Sequence, residues 1–154
     1  MKIKVFKSFS SELENYWRAA ERECKTFVFQ TYDWCQAWYD KIGHDGSNLY
    51  ILVGIEDNEV KAIFPFCVNS ILSVKILSLM GGQLADYQAP LVKNETDIES
   101  IWAKFEPYLP KHDILLLNRI PEPFSVIKSF IKGHIKIQMF QTAEICLPAV
   151  KTSL

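Results

Sequence analysis

Apolar and polar side chains alternate at the start of the chain: Ile3, Val5 and Lys7 fall on one side and Lys2, Lys4 and Phe6 on the other. That is the period of a half-buried edge strand. The period then changes. Leu13, Tyr16, Trp17 and Ala20 recur at helical spacing and predict a helix running to about Glu23, opened by Ser10 or Ser11. Ser11 followed three residues later by Glu14 has the form of a capping box. A second helical stripe, Trp34, Ala37, Trp38 and Ile42, has Thr31 as its cap and stops at Gly43.

Residues 49–55 and 60–68 are rich in β-formers and flank Asp57-Asn58, a pair that tolerates left-handed backbone. They predict a hairpin whose second arm, interrupted by Pro65, bulges or lies at an edge. Residues 71–80 predict a further strand with Val74, Ile76 and Leu77 as its apolar members, ending at Gly81-Gly82. After a short apolar segment at 89–92, Asn94 or Thr96 opens a helix with Ile98, Ile101, Trp102 and Phe105 on one stripe, which stops before Pro107. Four consecutive aliphatics, Ile114, Leu115, Leu116 and Leu117, have the pattern of a central strand covered on both faces. Pro121 or Pro123 begins another helix with Phe124, Ile127, Phe130 and Ile131 inward, Gly133 closes it, and 135–140 and 143–147 follow as strands. Strands alternating with helices predict an α/β or α+β class with a mixed sheet. With no repeat or linker, the 154 residues predict a single domain over 1–154.

Composition narrows the function classes. Seventeen basic against eighteen acidic residues leave a net charge of −1, which offers no field for steering nucleic acid or an anionic membrane. No apolar run reaches the roughly 20 residues of a membrane-spanning helix, and no signal-peptide core follows Met1. The expectation is a cytoplasmic protein with no nucleic-acid partner and no membrane span. Cys24, Cys35, Cys67 and Cys146 are far apart and form no Cys-x-x-Cys pair, so they read as reduced, buried thiols rather than as a zinc site or disulfides.

The familiar catalytic motifs are missing. There is no Walker-type loop, no Gly-x-Gly-x-x-Gly between strand and helix, and Gly46-Ser47 lacks the flanks of a nucleophile elbow. Cys24 lies beside Lys25 and Arg22, but nothing identifies a histidine partner, and His44, His112 and His134 adjoin turns or strand starts. Tyr32, Trp34, Trp38 and Tyr39 have no interleaved basic residues, which favours core with a wet rim over a base-stacking surface. The most informative segment is 79–91, where a strand ends in Gly81-Gly82 and Gln83, Asp86 and Tyr87 follow in an apparent loop. Two readings stay open. The polar side chains reach a ligand from a loop on a fixed scaffold, or the segment is a turn in which Asp86 satisfies nearby amides and Tyr87 packs with its hydroxyl outward.

Four segments in order resemble the N-terminal half of the FemAB-like, CelD-type branch of the GNAT acyltransferase superfamily. They are Phe29-Gln30-Thr31-Tyr32-Asp33-Trp34; the hairpin Leu52-Val53-Gly54-Ile55 to Ala62-Ile63-Phe64-Pro65-Phe66; the Gly-Gly, Asp-Tyr, Pro-Leu succession in 79–91; and Asp113-Ile114-Leu115-Leu116-Leu117 with Ile120-Pro121-Glu122. The resemblance covers roughly 25–148. It implies a GNAT-like module with a mixed, largely antiparallel sheet flanked by helices. It also implies N-acyltransferase chemistry with an acyl-CoA such as acetyl-CoA as donor, and a small-molecule or peptidyl amine as acceptor. Members of that branch look like two tandem modules, the donor held mainly by the second and the acceptor lying between them.

This chain extends about as far as the first module and carries no Gln/Arg-x-x-Gly-x-Gly/Ala donor loop. The resemblance therefore implies a module that contributes acceptor binding through Gly81, Gly82, Gln83, Asp86 and Tyr87 and does not catalyse alone. No residue is assigned as acid or base. Pairing with a second GNAT-like module or a homodimer follows from the same reading. The alternatives are a non-catalytic binding or assembly module and a single-domain acetyltransferase with a degenerate donor loop.

Overall fold

In a computed structural model of the chain, which describes residues 1–94, 97–122, 124 and 135–138, one sheet runs through the middle of the molecule. β1 (Lys2–Phe6), β2 (Ser47–Glu56), β3 (Glu59–Ile71) and β4 (Val74–Leu79) are antiparallel neighbours in sequence order. The two-residue strand β5 (Leu91–Val92) also pairs with β3. β6 (Ile114–Asn118) then adds parallel to β4, and β7 (Ile135–Gln138) parallel to β6. The order is β1-β2-β3-β4-β6-β7 with β5 off the path. This is the mixed, mostly antiparallel α+β architecture expected of a GNAT-like module.

Helices α1 (Ser11–Glu23) and α2 (Tyr32–Lys41) cover one face and α3 (Ile98–Phe105) the other. Of the two serines offered as caps for α1, Ser10 serves: its hydroxyl accepts from Leu13 N at 3.2 Å. Glu14 is thereby released from the Ser11 capping box and pairs with Arg18 instead. Arg18 reaches across to Asp33 on α2, which holds the Asp33 carboxyl below its ordinary range and ties the two helices together. α2 starts at Thr31 as expected, but its inward residues are Tyr32 and Cys35, while Ala37 and Ile42 face solvent. The helix is rotated relative to the stripe read from Trp34, Ala37, Trp38 and Ile42. Tyr32 slots between Phe9 and Trp17, with ring centroids 5.4 and 5.8 Å away, and packing of that ring outweighs the stripe. Burial pushes the thiols of Cys35 and Cys67 up, as fits inert core residues.

The hairpin at Asp57-Asn58 forms with both residues at positive φ (54° and 62°). A second two-residue turn, Leu72-Ser73, carries φ of 54° and 99° and divides the segment read as one strand over 71–80, so that Ile71 ends β3 and Val74 begins β4. Neither residue is a usual left-handed former, which is why the sequence did not announce this turn. Pro65 is neither at a bulge nor on an outer edge. It sits opposite Ile51, and the register shift in this pair falls at Gly54/Ile55 instead. The Pro65 carbonyl accepts from Met80 N at 2.8 Å. Since a strand residue's N–H and C=O point to the same neighbour, its missing donor faces the gap where β4 has left β3 and β5 has not yet joined.

α3 begins at Ile98 after Asp97 and presents Ile98, Ile101, Trp102 and Phe105 inward, as its stripe predicts. A single 3-10 turn, Glu106–Tyr108, carries it past the expected stop by accommodating Pro107. β6 is interior to the sheet, between β4 and β7, but only Leu115 and Leu117 are buried while Ile114 and Leu116 are half-covered. Its aliphatic run overstated its cover on the α1/α2 side. Phe124 is buried in the α3-side core; the helix expected after it, the strand over 143–147 and Cys146 lie outside the described residues. Among the described residues no helix is long and apolar enough to cross a membrane.

Two substitutions test this packing. A Cβ at Gly54 would come within 2.6 Å of both the Met1 sulfur and the Phe105 ring. Gly54→Ala is expected to cost about 1–3 kcal/mol in urea unfolding. Glu59 accepts from Lys61 at 2.7 Å and Lys93 at 2.8 Å, which holds its carboxyl at about 2. A carboxyl lowered on folding stabilises above its unfolded pKa, and the contribution disappears as pH falls toward the folded value. Urea midpoints followed from pH 5 down to pH 2 should fall less steeply in Glu59→Gln than in the wild type.

Candidate functional site

The parallel pairing of β4 and β6 covers three registers, Ile76↔Ile114, Leu77↔Leu115 and Ser78↔Leu116. Beyond Ser78 the strands part. Leu79 and Met80 stay with β3, at Phe66 and Pro65, while Leu117 and Asn118 continue beside β7. The chain then turns out of the sheet at Gly81 (φ 112°) and Gly82 (φ 54°). A side chain at Gly81 would be strained by its φ and would meet Ala85 at 2.6 Å and the Trp34 ring at 3.2 Å. Residues 81–90 thus form an excursion at the carboxyl ends of parallel strands, the end where open α/β sheets bind ligands.

The excursion is strapped down. Arg119, which follows β6 with φ 48°, donates from Nη1 to the carbonyls of Gln83 and Ala85, each at 2.8 Å. Its own carbonyl accepts from Gln88 N at 3.1 Å, and the buried Gln88 amide donates back to the Gly82 carbonyl. A second tie comes from the segment before α2. Gln30, 1% exposed, donates from Nε2 to the carbonyls of Ala89 (3.1 Å) and Pro90 (2.8 Å) and accepts from Phe27 N at 2.8 Å. Its backbone carbonyl accepts from the Trp17 indole at 2.8 Å. One buried glutamine, through its side-chain amide and its backbone carbonyl, therefore fastens 27–30, 89–90 and α1 together.

The five residues singled out in the sequence fall into two groups. Gly81 and Gly82 make the turn. Gln83 gives its carbonyl to Arg119 and turns its side chain to solvent; Asp86 is exposed and Tyr87 half-buried. Asp86 makes no bond to the loop amides among the described residues, so the self-satisfied turn is not how it is used. Tyr87 does pack: its ring stacks on Phe27 at 5.0 Å and 21° and lies 6.5 Å from Phe29. Phe29 in turn meets Trp34 edge-on at 5.2 Å. The order Phe27, Tyr87, Phe29, Trp34 is a continuous row of rings; Val28, between Phe27 and Phe29 in the chain, and Leu84 in the loop are exposed aliphatics.

Sequence reasoning missed Arg119, Gln30 and Gln88 as the parts that hold the loop. A positive-φ arginine carries no sequence signal, and the glutamines are recognisable only once their burial is known. Asn118, the last residue of β6, has a buried side-chain oxygen without a hydrogen-bond partner among the described residues. Among the described residues, clefts of about 440 and 300 Å³ lie elsewhere. The first is bounded by Glu56, Lys61, Lys93 and Lys104, the second by Trp102, Lys111 and His112. No group of three or more His, Cys, Asp or Glu arranged to hold a metal occurs among the described residues.

Compared with protein-family models, with curated proteins and with solved structures, the chain has no match. Its function has to be argued from this geometry. The strap itself is open to test: Gln30→Leu leaves the Ala89 and Pro90 carbonyls and the Phe27 amide without their partner, at a cost of about 2–4 kcal/mol in chemical unfolding. Amide exchange in 81–90 should accelerate in the same variant.

Proposed function

We propose that this chain is a GNAT-like, N-acyltransferase-type module that supplies the acceptor side of a transfer site and does not carry out transfer alone. The observation that carries the reading is Asp86. It is an exposed carboxylate that makes no hydrogen bond to the loop amides among the described residues, presented on a strapped loop where two parallel strands separate. Transfer from a thioester to an amine requires the amine to be held, relieved of its proton and aimed at the carbonyl. A carboxylate can hold an ammonium or accept its proton, and the Tyr87 phenol beside it can orient the nucleophile. The mixed sheet supports the reading, as does the order of the four sequence segments. The missing donor loop argues that an acyl-CoA would be held by a second module or chain.

Calorimetry of this chain with acetyl-CoA should give no binding; tight binding would favour the single-domain acetyltransferase instead. In the assembly that performs transfer, Asp86→Asn and Tyr87→Phe should each lower kcat/KM for the amine by about tenfold or more at unchanged Tm. Wild-type rates in both variants would remove the loop from the site. Exposure of Val28, between two of the ring residues, and of Leu84 on the loop favours a second reading, a non-catalytic binding or assembly module. Concentration-dependent dimerisation in sedimentation velocity, abolished by Leu84→Asp, would support that reading, and a monomer at all concentrations would count against it.

A further inference from the structure

At the start of β6, the opposite end of that strand from Arg119 and the loop, lies the cleft of about 300 Å³, a volume within the range of small-molecule sites. One continuous stretch of chain builds most of it. Trp102 and Glu106, four residues apart along α3 and its cap, fall on one face. Leu109, Lys111 and His112 follow in the link to β6, and Leu115 comes from β6 itself. The link is held along its length. Leu109 N donates to the Glu106 carbonyl at 3.1 Å, and the Tyr108 carbonyl accepts from the Tyr50 hydroxyl at 3.2 Å. Asp113 donates from its N–H to the Lys75 carbonyl at 2.9 Å and accepts from Lys75 N at 2.7 Å. The cleft is therefore preformed.

Its polar groups are unpaired. Trp102 is 2% exposed, and its indole N–H has no hydrogen-bond partner among the described residues. Native folds leave few buried donors in that state, because nothing replaces the lost hydration. Glu106 and Lys111 bring opposite charges to the same cleft, are exposed, and form no ion pair among the described residues. His112 donates from Nδ1 to the Pro110 carbonyl at 2.7 Å, which fixes the ring and leaves Nε2 as an acceptor in the neutral form. The larger cleft differs in this respect. There Lys61 and Lys93 bond to Glu59, and Lys104 stands 3.7 Å from Glu56.

We infer that the smaller cleft binds a free α-amino acid with an apolar side chain. The ligand's carboxylate accepts from the Trp102 indole and pairs with Lys111. Its ammonium pairs with Glu106 and donates to His112 Nε2, and its side chain covers Leu109 and Leu115. A carboxylate alone would meet Glu106 with like charge. An amine alone would meet Lys111 and leave the indole N–H without an acceptor, whereas a zwitterion answers both charges. The ammonium also lies at the carboxyl end of α3, where the helix dipole is negative. This site is separate from the loop that carries Asp86 and does not rest on the acceptor-side reading.

The test is an NMR titration of the chain with leucine and three relatives that each lack one part. N-acetylleucine lacks the ammonium, 3-methylbutylamine the carboxylate, and glycine the apolar side chain. Leucine should shift the Trp102 indole signal and the Lys111 and His112 amides, and bind at least about fivefold more tightly than each relative. Glu106→Gln should bring leucine down to the affinity of N-acetylleucine, and Lys111→Gln to that of 3-methylbutylamine. Both positions are exposed, and Tm checks their fold. Trp102→Phe, which keeps a ring in the core and removes the N–H, should also weaken leucine; if this core variant does not fold, the two surface variants decide.

A leucine affinity no higher than that of its relatives, shifts confined to another surface, or undiminished leucine binding in both Glu106→Gln and Lys111→Gln would overturn the inference. None of these outcomes bears on Asp86 or Tyr87, whose role is read from transfer rates, so either proposal can fail without the other.

Discussion

The chain leaves β4 at Gly81 because two ladders compete for its end. Up to Ser78 the strand satisfies β3 on one side and β6 on the other. At Met80 the last bond goes to the Pro65 carbonyl, and Pro65 has no N–H to offer in return. With no donor at Pro65 and a glycine pair free to take positive φ, the chain turns outward and rejoins β3 only at Leu91. The proline that looks like a flaw in a central strand is thus the reason for the gap. Everything at that end of the molecule is built around it: the loop, the ring row and the separated ends of β4 and β6.

A ten-residue excursion with exposed tips would ordinarily be a soft part of a fold, because its backbone groups would be solvated and its ordering would cost entropy. Here a guanidinium and two buried side-chain amides take up five of its backbone carbonyls, so the loop inherits the rigidity of β6 and of the segment before α2. Removing such a partner leaves a buried carbonyl unpaired, and that penalty is larger than the net gain from making the bond. The arrangement lets Asp86 stay in solvent on a fixed backbone. That combination suits recognition.

Much of the architecture was legible because it rests on local physics. The helical stripe of α1 and its start near Ser10, the stripe of α3, the Asp57-Asn58 hairpin and the segment rich in glycine, acid and phenol all follow from side-chain periodicity and turn chemistry. The misjudged parts share a cause. Leu72-Ser73 turns against its own preference because the ladder between Ile71 and Val74 closes around it. α2 is rotated because Tyr32 fits between Phe9 and Trp17, and β6 is less covered than its aliphatic run suggested because the α1/α2 layer lies chiefly over β2 and β3.

The sequence by itself determined which segments become strands or helices and which short stretch carries free polar chemistry, since these depend on the spacing of neighbours along the chain. Only the tertiary structure decided that Arg119, Gln30 and Gln88 hold that stretch in place, and that Phe27, Phe29 and Trp34 stand beside Tyr87. Apart from the Gln88–Gly82 bond within the loop, those partners are separated by about thirty to sixty residues, and no periodicity encodes a contact over that distance. It is the departure of one strand from its neighbour that brings them together.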